Sequence, residues 1–264
     1  METILLELMV LTLIIHLIDT LSYSVRLNSV KSGQFALSFS LFNLFVLVSR
    51  TANMFQAPLI GWIIGESLAA GIDPIDDIRR VIFAATLGTL LGILLIPTFL
   101  RLFEVAVKRL ETTGSVPLLV IEALQISNVK RMLKRAARPN KTMLERLRYR
   151  EIPKRLLLIN SLVTGIYTVG VLAANYSALL VAEQYRIAAV GSSGMINGLA
   201  TILLTLFIDP KSAVITDQAL RGDRPYGDVK ALVILLIASK LVGTLLGQVI
   251  FLPAARIIAS FYGG

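Results

Sequence analysis

An ionisable or amide side chain inside a long apolar helix is costly in lipid unless it meets a partner or a wet cavity, so a few polar groups carry most of the information in this chain. His16, Asp19, Tyr23 and Arg26 are spaced by three, four and three residues, which places them on one helix face. Asn43, Arg50 and Asn53 follow at seven and three residues, with Gln56 a further turn along. Lys240 stands between leucine-rich flanks, and Asn160, Asn175 and Asn197 add amides to later apolar runs. Arginine and lysine inside a membrane suit an anionic head group, because a guanidinium meets phosphate oxygens bidentately and an ammonium meets them as a point charge. Each residue also has a plainer role: Arg50 reaching to the outer interface, Lys240 in a structural ion pair with Asp19, and His16 hydrogen-bonded in the core.

The elements that must hold these groups are transmembrane helices. Of the 264 residues, 55% are hydrophobic and 16% charged, with mean hydropathy +0.76, outside the range of ordinary soluble domains. Six continuous apolar stretches are long enough to cross a bilayer: Ile4 to Val25, Gly33 to Ala57, Val81 to Phe103, Leu156 to Ala182, Ile187 to Ile208 and Val229 to Ala255. Their apolar residues do not alternate with period two, which excludes barrel strands. The expected fold is an all-α polytopic membrane protein, with spans 1–3 in residues 1–103, a basic cytoplasmic loop in 104–155 and spans 4–6 in 156–264. The first span opens Met1-Glu2, lacks a basic flank and contains His16 and Asp19, so it is expected to remain rather than be removed as a signal peptide. Residues 58–72 leave three options: an extension of the second span, a bend at Pro58, or re-entry into the membrane.

Charge sets the orientation. The 104–155 segment holds 13 of the 26 basic residues and 5 of the 17 acidic ones, a net +8 of the chain's +9. With that loop inside, both termini lie outside, and Arg26, Lys31, Lys211, Arg221, Arg224 and Lys230 join it on the cytoplasmic side. The concentration of charge in one loop also argues against a nucleic-acid-binding surface. Val116 to Ala137 mixes Leu118, Ile121, Val129 and Leu133 with Lys130, Arg131, Lys134 and Arg135, the pattern of an amphipathic helix lying on anionic lipid. Counted at 1.5 Å per residue, Asp19 is about 10 Å from Arg26, Lys240 about 15 Å above Lys230, and Arg50 about 27 Å above Ser32, which sets the two cations at different heights.

Gly61/Gly65, Gly88/Gly92, Gly194/Gly198 and Gly243/Gly247 have the four-residue spacing that lets helix backbones approach, and packing within one subunit is expected of them rather than dimerisation. Enzymatic and metal chemistry is poorly supported. There is no Cys and one His, which excludes thiolate or His-rich metal centres and a Ser-His-Asp triad. Asp73, Asp76 and Asp77 form a lone acidic cluster without a second one to share a metal diphosphate, and a helix-capping role for Asp73 is expected. No phosphate-cradling glycine loop follows a strand, so neither a cofactor nor a nucleotide is implied.

The stretches His16-Leu-Ile-Asp-Thr-Leu-Ser-Tyr-Ser-Val-Arg26, Ser38-Phe-Ser-Leu-Phe-Asn43, Ser49-Arg-Thr-Ala-Asn53 and Gln56-Ala-Pro58, with Ile196-Asn-Gly-Leu-Ala-Thr-Ile-Leu-Leu-Thr-Leu-Phe-Ile-Asp-Pro210, resemble the Amj family of bacterial lipid II flippases, alternates to MurJ. The resemblance implies movement of undecaprenyl-diphosphate-linked disaccharide pentapeptide from the inner to the outer leaflet of the cytoplasmic membrane, in service of peptidoglycan synthesis. It brings no binding-residue set with it. The substrate-contacting residues expected from the polar stripes are Arg50, Lys240, Arg26, Asn53, Asn43 and Gln56, with Asp19 and His16 as ion-pair or coupling residues, in a groove lined by spans one, two and six that opens alternately to each side. Rival readings are a carrier of undecaprenyl phosphate or another anionic lipid, a membrane enzyme acting on polyprenyl diphosphate, and an envelope scaffold.

The orientation is testable because the chain has no native Cys. A Cys at Asn140 is expected to be shielded from an impermeant thiol reagent in intact cells and one at Gly71 to be labelled. Labelling at 140 from outside would reverse the topology.

Overall fold

The computed structural model describes residues 2–115, 118, 147 and 149–264. Its helices are α1 (Glu2–Tyr23), α2 (Val25–Ser32), α3 (Phe35–Ala70), α4 (Ile75–Thr113), α5 (Lys154–Ser177), α6 (Arg186–Leu203), α7 (Asp209–Leu220) and α8 (Tyr226–Ser260). Short 3-10 turns at Tyr149–Glu151 and Glu183–Tyr185 precede α5 and α6, and a π-helical segment, Leu204–Ile208, joins α6 to α7. Six helical stretches are long and apolar enough to cross a membrane: Glu2–Ser32, Phe35–Ala70, Ile75–Thr113, Lys154–Ser177, Glu183–Leu220 and Tyr226–Ser260. Among the described residues there is no strand.

Helix ends depart from the hydropathy boundaries because charged residues continue a helix past the apolar core. The first span runs on through α2 after a tightened turn at Ser24, whose hydroxyl and N–H both bond the Leu21 carbonyl, at 2.6 and 3.0 Å. Gly33, with φ +70°, then reverses the chain, a conformation that residues with a Cβ rarely adopt. Residues 58–72 extend the second span: α3 continues through Pro58 to Ala70 and ends in the left-handed Gly71. At 36 residues α3 is about 54 Å long by helical rise, more than the hydrocarbon core, so it tilts or projects. Likewise α4 passes Phe103 to reach Thr113, so residue 104 marks a change of charge and not the end of a helix. The amphipathic helix expected at 116–137 lies outside the described residues, apart from Leu118.

Two apolar clusters occupy opposite ends of the bundle. One joins Leu8, Ile60, Ile63, Ile78, Ile82, Leu172 and Phe251, and the other joins Leu27, Leu156, Ile208, Ile215, Leu232 and Leu236. Asp19 and Lys240 stand between them, and Asn160, flanked by Leu156 and Val163 and bonded to the Leu236 carbonyl, lies at the edge of the second cluster. Two of the four glycine pairs close helix interfaces. A Cβ on Gly88 would overlap the Leu13 carbonyl oxygen, and one on Gly92 would stand 2.7 Å from Thr20, so the two glycines let α4 come against α1. Gly243 similarly admits the Ser161 carbonyl and Thr164 of α5, while Gly247 meets Ile82, Thr168 and Val169. Gly61 has only an ordinary contact with Asn175, and Gly65, Gly194 and Gly198 face open space.

This division predicts opposite responses to one added methyl. Gly88→Ala should lower the unfolding midpoint in detergent by the equivalent of about 1–3 kcal/mol, because backbone must shift. Gly65→Ala should be neutral or gain up to ~1 kcal/mol from helix propensity.

Candidate functional site

A tightened turn and back-bonding hydroxyls shape the polar face of the first span. Thr20 Oγ1 bonds the His16 carbonyl at 2.6 Å, Ser22 Oγ that of Asp19 at 2.7 Å, and Ser29 Oγ that of Arg26 at 2.9 Å. These local bonds satisfy hydroxyls that would otherwise compete for the charged groups. His16, Asp19, Tyr23 and Arg26 face one cavity of about 110 Å³ together with Arg50 of α3, Tyr167 of α5, Thr201 of α6, Asp209 of α7 and Lys240 of α8. Spans one, two and six contribute as the polar stripes suggest, and spans four and five join them.

The charges fall into two tiers. In one, Lys240 Nζ stands 3.6 Å from Asp19 Oδ2, and Ser49 Oγ donates to Asp19 Oδ1 at 2.5 Å. In the other, Arg26 Nη2 stands 3.3 Å from Asp209 Oδ1. The Tyr23 ring separates the tiers, its centroid 5.9 Å from both Lys240 Nζ and Arg26 Cζ. Its hydroxyl donates to Asn160 Oδ1 at 3.0 Å, and Asn160, fully buried, donates in turn to Ser239 Oγ at 2.8 Å and the Leu236 carbonyl at 3.0 Å. A π-face against each cation and an anchored hydroxyl hold the aromatic ring in place.

Arg50 is exposed to this cavity and, among the described residues, forms no ion pair. Its neighbour Ser49 touches Asp19, and Arg50 itself lines this cavity and, with Arg26 and Asp209, the one that adjoins it. The cavity wall thus holds three cations, two carboxylates and His16, a formal +1 with the imidazole neutral. His16 is buried, and its Nδ1 has no hydrogen-bond partner among the described residues.

A second cavity, of about 470 Å³, adjoins the first and shares Arg26, Phe42, Val46, Arg50, Leu204 and Asp209 with it. Phe35, Phe39 and Phe42 line it from α3, stacked with centroids 5.9 and 5.8 Å apart. Phe39 is about half exposed, so the cavity opens sideways between α3 and the π segment. Asn43 lies here rather than in the charged cavity. Asn53 lines neither, and Gln56 is buried with its amide on Thr12 Oγ1 at 2.7 Å, a bond that ties α3 to α1. Asn175 bonds the Val171 carbonyl within its own helix, and Asn197 packs against Gly170.

Asp209 and Ser49 were missed as site residues. Asp209 looks like the interfacial end of an apolar run, and only the π segment that precedes it, a wide turn often found at functional sites, turns it inward. Ser49 differs from other membrane serines only by its place before Arg50. Asp73 accepts from the Ile75 N–H at 3.0 Å and from the Tyr176 hydroxyl at 3.0 Å, a capping role, and among the described residues no cluster suits a metal ion.

The family model described as Amj, Alternate to MurJ, matches residues 11–262. The chain belongs to the Amj family. It is similar to the "Lipid II flippase Amj" of Bacillus subtilis (strain 168), 40% identical over 249 residues that cover 94% of this chain and 92% of that protein. No solved structure matches. The family match therefore runs through all six spans and includes every residue of the charged cavity.

Neutralising one partner of the Asp19 and Lys240 pair leaves the other charge in the bundle. Asp19→Asn and Lys240→Gln should each lower stability in detergent by about 2–4 kcal/mol, with reduced abundance in the membrane. The double substitution should recover most of the loss, and strict additivity of the two singles would show that the pair contributes nothing.

Proposed function

We propose that this chain is a lipid II flippase that carries the undecaprenyl-diphosphate-linked muropeptide from the inner to the outer leaflet, with the basic loop inside and both termini outside. The reading is carried by the charged cavity: a net positive pocket, enclosed within the bundle, that continues sideways into an aromatic-lined groove. Those are the two environments that a lipid with a diphosphate head and a polyprenyl tail requires. Arg50, Lys240 and Arg26 meet diphosphate oxygens, and the tail lies along Phe35, Phe39 and Phe42, whose faces suit methyl-branched isoprene units. The similarity to a named lipid II flippase supports the same substrate.

At about 110 Å³ the charged cavity is small beside two sugars and a peptide. The head group therefore crosses with the helices spread, and this state is the one closed around its charged centre. Because Lys240 and Arg26 are already matched by carboxylates, Arg50 is the cation available for first contact. Anionic lipids meet the basic ends of the helices, among them Lys31, Lys154, Arg155 and Lys211.

Purified protein in liposomes should move a fluorescent lipid II analogue, chemically unaltered, into the opposite leaflet. Arg50→Ala should slow that movement at least about tenfold at equal protein content, a loss of roughly 1.4 kcal/mol or more, and Arg50→Lys should restore part of it. Wild-type movement by Arg50→Ala would confine Arg50 to the lipid interface, and release of phosphate from the analogue would replace the flippase with an enzyme.

A further inference from the structure

Building on that reading, we infer that an anionic head group entering the charged cavity is accompanied by a proton, and that the proton is held on Asp19. The inference begins with the charge of the cavity wall. Three cations face two carboxylates there, so the wall offers one net positive charge to a diphosphate diester carrying two negative ones. Binding without a proton would leave one uncompensated negative charge between two apolar clusters, the arrangement that buried sites avoid. One proton brings the total to zero.

Geometry selects the acceptor. A phosphate that draws the Lys240 ammonium toward itself weakens its 3.6 Å contact with Asp19, the carboxylate that then carries the least compensated charge. Asp209, the alternative, keeps its 3.3 Å contact with Arg26 and is the more exposed of the two, its side chain 39% against 26% for Asp19. The remaining contact of Asp19 survives protonation: Ser49 Oγ, which donates to the carboxylate at 2.5 Å, can rotate its hydrogen away and accept the new O–H. The step forms one O–H bond on Asp19 and breaks one bond to hydrogen on the hydronium ion or buffer acid that gives up the proton, leaving water or the buffer's conjugate base.

The groups around Asp19 are His16 and Tyr23 on its own helix, Arg26 on α2, Arg50 on α3, Tyr167 on α5, Asp209 on α7 and Lys240 on α8. From α6 the cavity receives only Ala200, Thr201 and apolar neighbours, and α4 brings glycines to the back of α1. Tyr23 is committed to Asn160, and Arg26 to Asp209. His16 lies a turn away with a ring nitrogen that has no hydrogen-bond partner among the described residues.

The test is titration calorimetry on the full chain in detergent, with a short-chain prenyl diphospho-N-acetylglucosamine whose two diester charges are constant near neutral pH. Binding heats in two buffers of different ionisation enthalpy give the protons taken up. The wild type should take up about one per ligand, with affinity falling up to roughly tenfold per pH unit as pH rises, while Asp19→Asn should take up none and bind independently of pH. Infrared difference spectra should show a protonated carboxyl band on binding that shifts in Asp19→Glu. A wild-type chain that binds the probe without proton uptake overturns the inference and leaves the flippase reading intact. Unchanged uptake in Asp19→Asn, or a band that Asp19→Glu leaves in place, overturns the assignment to Asp19. Absence of binding by the wild type removes the flippase reading and this inference with it.

Discussion

A lysine ammonium in the middle of a helical bundle has to be met by a carboxylate, and the pairing of Lys240 with Asp19 sets the terms for much of this fold. The first span packs on α3 and α4, while the last packs most extensively on α5. These two groups meet through α4 and α8, where Gly247 admits Ile82, and again through the charged layer. Without the layer, the space between α1, α3, α5 and α8 would have to be filled by hydrocarbon, and the bundle would be an ordinary membrane core. With it, the helices enclose a small polar volume whose charges, among the described residues, are matched in pairs save for Arg50.

Matching in pairs resolves two opposing demands. An unoccupied cavity with three bare cations would be destabilised by several kcal/mol for each, yet one lined by neutral residues could not compete with water for a phosphate. Carboxylates that can be displaced keep the empty state stable and leave the cations in place. Tyr23 contributes by standing between the tiers, since its ring gives each cation a weak partner that does not neutralise it.

Much of this was legible in the sequence where the signal is local. Continuous apolar runs identify the six spans, the 3.6-residue period gathers His16, Asp19, Tyr23 and Arg26 on one face, and Gly88/Gly92 and Gly243/Gly247 sit where backbones touch. Relations across spans were not legible. Arg26 finds Asp209 across 183 positions, a pairing that no spacing rule supplies. Gln56 looks like a member of a substrate-facing stripe but turns toward Thr12, because a 36-residue helix rotates through several faces and its neighbour changes along its length. Gly194 and Gly198 have the spacing of a packing motif, yet among the described residues nothing packs against them.

The π segment Leu204–Ile208 has a consequence for how the fifth span is wound. A single wide turn accommodates an extra residue without breaking the helix, and each α-helical residue advances the winding by about 100°. Everything after the segment, Asp209 included, therefore faces about 100° away from where a uniform α-helix would direct it. The bond between Arg26 and Asp209 depends on that angular offset: rewinding the same residues as a uniform α-helix would swing the carboxylate away from Arg26, whereas removing one residue from 204–208 would take out the wide turn and leave Asp209 facing Arg26.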